Sequence, residues 1–282
     1  MDNIVLIFDF DQTIIDCDSD EWVVNELGIG ELFRQLLPSM TWNTLMDTMM
    51  KELHAQGKTI ENIVKCLRRV QLDAHIINAI KSAYAMGCDL RIVSDANLLF
   101  IETILKKHEV LDCFSEINTN PCYVDEDGRL RILPYNDHIN SPHGCSLCPT
   151  NMCKGKIIER MKTKMASKTK GNQFIYLGDG KGDYCPSLKL NEGDHIMAKK
   201  DHPLFELISE NSKLIKAEVH QWSNGEELER ILIQLISNYQ MSSSSTTSNG
   251  SSSLISMDCK LETLPMASHD QSSISQPVSV PH

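Results

Sequence analysis

The sequence lacks a hydrophobic run long enough to cross a membrane, which takes about 18 consecutive apolar residues. It also lacks a basic cluster at its start, and Asp9 and Asp11 interrupt the first apolar segment after five residues. Both absences argue against a membrane protein and against a secretory signal peptide. We therefore expect a cytoplasmic protein whose ten cysteines are mostly reduced rather than paired in disulfides.

Positive charge is scarce as well. The chain of 282 residues has 27 Lys and Arg residues against 38 Asp and Glu residues, which gives a net charge of −11. Proteins that bind nucleic acids or anionic membranes need a positive field, so this composition argues against both classes of partner. A small anionic substrate stays compatible with it, because a metal ion and a few local cations can reverse the field within one cleft. The composition leaves the oligomeric state open.

The C-terminal segment 241–282 is poor in the residues that build a core. It is rich in serine, has no aromatic residue and contains only four charged side chains. Such a segment buries too little apolar surface to offset the entropy of ordering. We predict that residues 241–282 form a disordered tail.

Hydrophobic spacing divides the rest of the chain into two kinds of segment. Residues 22–87 have helical spacing almost throughout, interrupted at Pro38 and Gly57. Short apolar runs typical of strands alternate with helical segments elsewhere, at residues 4–8, 90–93, 114–118, 174–177 and 195–198, with a peripheral strand over 129–133. The alternation predicts an α/β fold, a Rossmann-like parallel sheet with helices on both faces. We assign residues 1–15 and 88–240 to this core and residues 16–87 to a helical cap.

Polar residues follow three of the predicted strands. These are Asp9 and Asp11 after the first strand, Ser94 and Asp95 after the second, and Asp179 after the run at 174–177. Ligands of open parallel sheets bind beyond the carboxyl ends of the strands, so we expect these residues to meet in one crevice. Asp183, four residues after Asp179, and Lys154, at the start of a predicted helix, extend the set.

The pair Asp9 and Asp11 indicates a particular chemistry. Positions i and i+2 of an extended chain project the same way, so the two carboxylates can converge on one point. Two anions that close are tolerable when a divalent cation bridges them or when one stays protonated as a general acid. Phosphoryl transfer fits both conditions: one carboxylate attacks phosphorus, the other protonates the leaving group, and a metal ion and a lysine neutralise the phosphoryl oxygens.

Four motifs of this chain, in order, resemble those of the haloacid-dehalogenase-like phosphatases. They are Asp-Phe-Asp-Gln-Thr at 9–13, Ile-Val-Ser at 92–94, Lys154, and Gly-Asp-Gly-Lys-Gly-Asp at 178–183. The resemblance implies that Asp9 is the nucleophile and Asp11 the general acid and base. It further implies that Mg²⁺ is held by Asp9, the Asp11 carbonyl and Asp179, with Asp183 supporting these ligands. Ser94 and Lys154 would hold the phosphoryl oxygens, with Lys156 as a weaker rival for the lysine role.

The segments 16–20, 94–97 and 148–154 resemble one branch of this superfamily more closely. That branch contains the phosphoethanolamine and phosphocholine phosphatases and the plant phosphate-starvation enzymes described as inorganic pyrophosphatases. The resemblance implies that Asp20 and Asp95 face the cationic head group of a small phosphorylated amine. A carboxylate beside the scissile phosphate repels an anionic substrate unless the substrate carries such a cation.

Three functions therefore stay open at this point. We favour a phosphatase for phosphoethanolamine and phosphocholine, with pyrophosphate hydrolysis as the second enzyme hypothesis. A phosphate-responsive binding protein without turnover is the third, although it would need no nucleophile paired with a proton donor. The substrate hypothesis depends on Asp20 and Asp95, and Asp20 could instead begin the first cap helix, whereas Asp95 or Asn97 could cap the helix from Leu98.

Two further features have open interpretations. Three cysteines, Cys145, Cys148 and Cys153, lie near His143 and include the CxxC spacing that suits zinc, but the second CxxC of a strong zinc motif is missing. A tight turn with reduced cysteines and redox chemistry beside Lys154 are the alternative interpretations. Trp22 and Trp42 could line the cleft and attract a quaternary ammonium group, although packing is the favoured interpretation for both.

Overall fold

The computed structural model describes residues 4–136, 142–166 and 171–246. Its strands are β1 (Ile4–Phe8), β2 (Asp89–Asn97), β3 (Phe114–Asn120), β4 (Cys122–Val124), β5 (Leu130–Ile132), β6 (Gln173–Gly178), β7 (His195–Lys199) and β8 (Glu218–Trp222). Its α-helices are α1 (Ser19–Glu26), α2 (Gly30–Leu36), α3 (Trp42–Ala55), α4 (Ile60–Leu67), α5 (Ala74–Ala85), α6 (Leu98–Lys107), α7 (Lys154–Ala166), α8 (Tyr184–Ser187), α9 (Pro203–Glu210) and α10 (Gly225–Thr246).

Six strands form one parallel sheet in the order β3-β2-β1-β6-β7-β8. This confirms the predicted α/β fold, and every predicted strand is present. The sequence analysis missed β4 and the edge strand β8. Within the described residues, no helix is both long and apolar enough to span a membrane.

Strand β1 lies at the centre of the sheet and is buried on both faces. Ile4, Leu6 and Phe8 belong to one apolar core, and Val5 and Ile7 belong to a second core on the opposite face. Because side chains of a strand alternate between faces, a fully apolar strand needs a covering layer on each side. Helices of the chain supply both layers.

Residues 19–85 form five helices, as the spacing predicted. Helix α3 ends just before Gly57, which has a φ of +78° that a glycine adopts at little cost. Helix α1 begins after Asp18, whose carboxylate accepts a hydrogen bond from the Glu21 amide at 2.9 Å. These caps and stops explain why one long apolar pattern becomes several short helices.

Packing cuts across the predicted boundaries of the cap. Helix α5, predicted as part of the cap, packs along α10 and against β2. The antiparallel hairpin β4–β5, from the range assigned to the core, packs on α3, where Arg131 forms hydrogen bonds of 2.9 and 3.0 Å with the Asp47 carboxylate. The division into domains stays a prediction.

The C-terminal helix α10 extends farther than the sequence indicated. It continues to Thr246, whereas the predicted tail began at residue 241. The serines at 242–245 follow an amphipathic helix that is already anchored on α5, so the helix continues into a segment with little apolar surface of its own. The rest of the predicted tail, 247–282, lies outside the described residues.

Candidate active site

Asp9 stands directly after β1 at the carboxyl edge of the sheet. Its amide donates to the carbonyl of Leu177 in β6 at 2.9 Å, which extends the strand pairing to this residue. The side chain is buried; Oδ1 accepts from the Phe10 amide at 2.7 Å, and Oδ2 lies 2.7 Å from the ammonium of Lys154. Strand pairing and these two contacts fix the direction of the Asp9 carboxylate.

Lys154 is the first residue of α7 and bridges two carboxylates. Its Nζ lies 2.7 Å from Asp9 Oδ2 and 2.9 Å from Asp183 Oδ1, and the side chain is 95% buried. Burial opposes a charged ammonium, but the neighbouring Asp183 and Asp9 outweigh it and raise the pKa of Lys154 well above its ordinary value. Lys156, the rival for this role, is exposed on α7. The structure thus distinguishes the two lysines.

Asp183 is fully buried and has four hydrogen-bond donors around it. Oδ1 accepts from the Tyr176 hydroxyl at 2.6 Å and from Lys154, while Oδ2 accepts from the amides of Asp179 and Gly180 at 3.1 and 2.9 Å. Burial opposes its negative charge, but Lys154 and the Tyr176 hydroxyl outweigh that effect and lower its pKa. Both oxygens of Asp183 thus have partners, and its bonds to the amides of Asp179 and Gly180 stabilise the turn after β6.

Asp179 lies at the end of β6 and is nearly buried. Its Oδ1 accepts from the Thr13 hydroxyl at 3.1 Å, and Oδ2 lies 3.2 Å from Nδ1 of His202. Thr13 belongs to the turn after β1 and His202 precedes α9. The turn after β1 and the loop before α9 therefore both orient the Asp179 carboxylate.

The buried acids carry more negative charge than Lys154 can balance. Carboxylate oxygens of Asp9, Asp179 and Asp183 lie within 4.8 Å of one another. Burial raises the pKa of Asp9, and the charge of Asp183 raises it further; the same two causes raise the pKa of Asp179. Carboxylate oxygens are the ligands that Mg²⁺ prefers, and a divalent cation would offset this excess charge. The donor set fits Mg²⁺.

Asp11 is oriented differently from Asp9. Strand β1 ends at Phe8, so Asp11 lies in a turn, and its Oδ1 accepts from the amide of Ser19 at the start of α1, at 2.9 Å. The strand alternation assumed for the pair therefore does not apply beyond Phe8. Burial raises the pKa of Asp11, and Asp18 and Asp20 raise it further. A raised pKa keeps a carboxyl group protonated, which a general acid requires.

Ser94 and Asp95 follow each other near the end of β2 but differ in exposure. Ser94 is completely buried, and its Oγ accepts from the Ala96 amide at 3.2 Å. Asp95 is exposed at the mouth of the site. The helix-capping interpretation does not apply to Asp95, because Asn97 is the N-cap of α6 and accepts from the Phe100 amide at 3.2 Å.

Asp20 lies in the first turn of α1 and is buried rather than exposed to the cleft. Its Oδ2 accepts from the indole of Trp42 at 2.7 Å, and its Oδ1 has no hydrogen-bond partner within the described residues. Burial and the charge of Asp18 raise the pKa of Asp20, and the hydrogen bond from Trp42 opposes this only in part. Asp20 thus contacts the indole nitrogen of Trp42.

A cavity of about 640 Å³ lies between the strand ends, α3 and the segment before α7. Its walls are Thr41, Trp42, Asn43, Asp95, residues 147–152, Lys154, Lys181 and Gly182. The size falls within the range of about 300–1,000 Å³ that small-molecule sites occupy. The predicted residues Asp95 and Lys154 thus share one cavity, whereas Asp20 does not line it and instead accepts the hydrogen bond from Trp42.

Comparison with known proteins identifies the family. The family model described as "Putative Phosphatase" matches residues 4–236. The chain belongs to this phosphatase family. It is a haloacid-dehalogenase-like phosphatase, as its motifs predicted, and hence a hydrolase. The hypothesis of a binding protein without turnover is not supported.

Two relatives from Arabidopsis thaliana cover most of this phosphatase. Inorganic pyrophosphatase 2 is 55% identical over 92% of each chain. The thiamine phosphate phosphatase-like protein is 54% identical, over 84% of this chain and 97% of its own. A solved structure described as a phospho-aspartyl intermediate analogue of phosphoserine phosphatase matches with a TM-score of 0.54 at 16% identity, over 83% of this chain and 99% of its own, which supports the fold alone.

Several residues of the phosphatase site were missed by the sequence analysis. Tyr176, Thr13 and His202 position Asp183 and Asp179, and Lys181 lines the cavity. Thr13 stood inside a quoted motif, and Tyr176 was a polar group in an apolar strand, so each carried a weak signal. His202 carried none, because nothing in the sequence shows that the loop before α9 reaches the end of β6.

Proposed function

We propose that this phosphatase is Mg²⁺-dependent and hydrolyses small phosphate monoesters that carry a cationic group, through an aspartyl-phosphate on Asp9. Phosphoethanolamine and phosphocholine are the favoured substrates. The observation that carries the proposal is the exposed Asp95 carboxylate, which shares a cavity wall with the buried Lys154. The cavity thus offers one cationic and one anionic side chain to a substrate that carries both charges.

The first half of the proposed reaction transfers the phosphoryl group. The Asp9 carboxylate attacks phosphorus, and the bond between phosphorus and the substrate oxygen breaks. The departing oxygen takes the proton held by Asp11, whose raised pKa supports this role. Lys154, paired with Asp9 and Asp183, lies where it can offset charge on the phosphoryl oxygens.

The second half releases phosphate. The Asp11 carboxylate takes a proton from water, and the water oxygen attacks the phosphorus of the aspartyl-phosphate. The acyl-phosphate bond breaks, which restores the Asp9 carboxylate and leaves Asp11 protonated for the next cycle. Asp9 and Asp179, oriented by Asp183, would hold Mg²⁺, which when bound supplies positive charge that reduces repulsion between the nucleophile and the phosphate.

The cavity wall supports a cationic head group in two ways. Asp95 supplies negative charge at the mouth, and Trp42 supplies an aromatic face that attracts an ammonium group. Trp42 is held in place by the hydrogen bond from its indole to Asp20. It also packs edge-on against Phe33, with the two ring centroids 5.6 Å apart. In this proposal Asp20 acts through Trp42 and not by touching the substrate.

Asp95→Asn should reduce turnover of cationic esters selectively. We expect kcat/KM to fall about tenfold, equivalent to about 1.4 kcal/mol, for phosphocholine and phosphoethanolamine, because one charge pair at a partly exposed site is lost. Thiamine phosphate, which also carries a cation, is a third test ester. Pyrophosphate should be hydrolysed at least as fast by the variant as by the wild type, since a repulsive charge is removed.

The control for this comparison is Asp127→Asn. Asp127 lies in the β4–β5 turn with its side chain 67% exposed and does not line the cavity, so its substitution should leave all substrates unaffected. An equal loss by Asp95→Asn on pyrophosphate and on the amine esters would refute the head-group role. Steady-state phosphate release with Mg²⁺ measures every case.

Pyrophosphate hydrolysis is the second candidate function. Lys181 lines the cavity together with Lys154, so a second phosphoryl group could meet a second cation there. A relative that is 55% identical bears the name inorganic pyrophosphatase, which points the same way. Lys181→Gln separates the candidates: it should reduce pyrophosphate hydrolysis while sparing phosphocholine if the second phosphoryl group binds at Lys181.

A further inference from the structure

The structure assembles four cysteine thiols beside the active site. This cysteine cluster consists of Cys145, Cys148, Cys153 and Cys185. The first three belong to the segment before α7, whereas Cys185 lies in α8, 32 residues after Cys153. All four sulfur atoms lie within 4.8 Å of one another, and all four cysteines are free thiols.

The sulfur separations match those around a tetrahedral metal ion. Cys185 Sγ lies 3.7 Å from Cys145 Sγ and 3.8 Å from Cys153 Sγ. Four thiolates at about 2.3 Å from a zinc ion are about 3.8 Å apart at the corners of a tetrahedron. A disulfide would need about 2.0 Å between two sulfurs. The distances fit a shared ion better than a covalent pair.

The surroundings of the cluster favour a closed site. Cys153 and Cys185 are buried, and the amide of Lys156 donates to Cys153 Sγ at 3.4 Å. Amide donors of this kind orient and stabilise metal-bound thiolates. At Gly155 any Cβ would lie only 2.5 Å from Cys185 Sγ, so glycine permits the close approach of α7 to this thiol.

His143 does not belong to the cluster. Its Nδ1 accepts from the Cys145 amide at 3.1 Å, and its Nε2 lies 2.7 Å from the Pro149 carbonyl. Both ring nitrogens thus have partners within their own loop. Cys185 supplies the fourth ligand position that the sequence motif lacked.

We propose that the cysteine cluster binds one structural Zn²⁺ ion, separate from the carboxylate site for Mg²⁺. Four thiolates and no open position are typical of structural zinc, whereas Mg²⁺ prefers oxygen ligands. The ion would link the segment before α7 to α8. Residues 147–152 of that segment form one wall of the cavity. Cys153 directly precedes Lys154, and Cys185 follows Asp183 by two residues. The ion would therefore hold together the two chain segments that carry the Lys154–Asp183 ion pair.

The proposal is tested on the full-length chain by metal analysis. Protein purified under reducing conditions and dialysed against EDTA should retain one zinc per chain by elemental mass spectrometry, because a closed thiolate site releases its ion slowly. Cobalt(II) exchanged into the protein should give the visible bands and the thiolate charge-transfer bands of a tetrahedral sulfur site. Zinc at background in the wild type would overturn the proposal, as would a disulfide between cluster cysteines in protein kept reduced.

Three variants locate the ion. Cys185→Ser should reduce zinc content to background, whereas Cys113→Ser, a cysteine outside the cluster, should keep one zinc per chain. Asp179→Asn should keep it too, which separates this site from the carboxylates. Retention of full zinc by Cys185→Ser refutes the assignment. If Cys185→Ser fails to fold, alkylation of the wild type tests the zinc site instead. The four cluster thiols should react only after zinc is removed, and equal reactivity before removal refutes the assignment.

Discussion

Asp9→Asn should abolish phosphatase activity while leaving the protein folded. We expect kcat to fall by at least about 10³-fold on every substrate, because the amide cannot attack phosphorus and the reaction loses its covalent intermediate. The effect should not depend on whether the substrate is an amine ester or pyrophosphate. This separates the reaction type, which rests on Asp9, from the choice of substrate, which rests on Asp95.

The fold should tolerate this substitution well. Burial and the charge of Asp183 both disfavour the ionised form of Asp9, so removing its charge relieves repulsion in metal-free protein. Asn keeps one oxygen, which can accept from the Phe10 amide or from Lys154 but not from both, and the relieved repulsion offsets the contact that is lost. Circular dichroism and thermal unfolding in EDTA should therefore match the wild type or show higher stability.

Asp127→Asn is the matched control, since it makes the same chemical change at an exposed turn. It should retain full activity. Residual turnover of Asp9→Asn above a few per cent, in a preparation free of deamidated protein by mass spectrometry, would show that Asp9 is not the nucleophile. Acid-labile phosphate trapped on the wild type and absent from the variant would give independent support.

The main sheet was predictable wherever strands are apolar on both faces. Each of its four inner strands, β1, β2, β6 and β7, presents a run of buried residues, which stands out against helical spacing. The edge strand β8 escaped because most of its residues, including Glu218 and His220, are exposed or half-buried. An edge strand exposes polar side chains, so its sequence resembles that of a loop.

The convergence of the candidate site residues was predictable from one rule. Parallel strands direct their carboxyl ends to the same edge, so Asp9, Ser94 and Asp179 had to lie near one another once their strands were assigned. The rule places backbone positions but not side-chain directions. It therefore could not show that Asp11 accepts a hydrogen bond from the start of α1, or that Asp20 is buried and bound to the Trp42 indole.

The fourth cysteine of the cluster illustrates the same limit. Cys145, Cys148 and Cys153 are close in sequence, and their spacing alone suggested a metal site. Cys185 became their neighbour only because α7 and α8 pack side by side after β6 returns to the sheet. Ligands that meet through tertiary packing leave no spacing for a motif to detect.

Lys154→Met should cost both activity and stability. The methionine side chain keeps much of the lysine stem but removes the charge between Asp9 and Asp183. Breaking a buried ion pair on one side leaves an uncompensated charge, which typically costs about 3–5 kcal/mol. We expect urea unfolding at about pH 7.5 to show a loss of that size, together with a large fall in kcat. Lys156→Met, two residues along the same helix but exposed, should change neither quantity appreciably.

The loss should depend on pH in a defined direction. Without Lys154, burial raises the pKa of Asp183 in the folded state above its unfolded value, so the folded protein binds more protons than the unfolded chain. Stability of the variant relative to wild type should then recover as the pH falls from about 7.5 to about 5. Adding Asp183→Asn to Lys154→Met should restore part of the stability at the higher pH, because one unpaired carboxylate is removed. If Lys154→Met unfolds with the same free energy as Lys156→Met, the buried lysine does not hold these acids together.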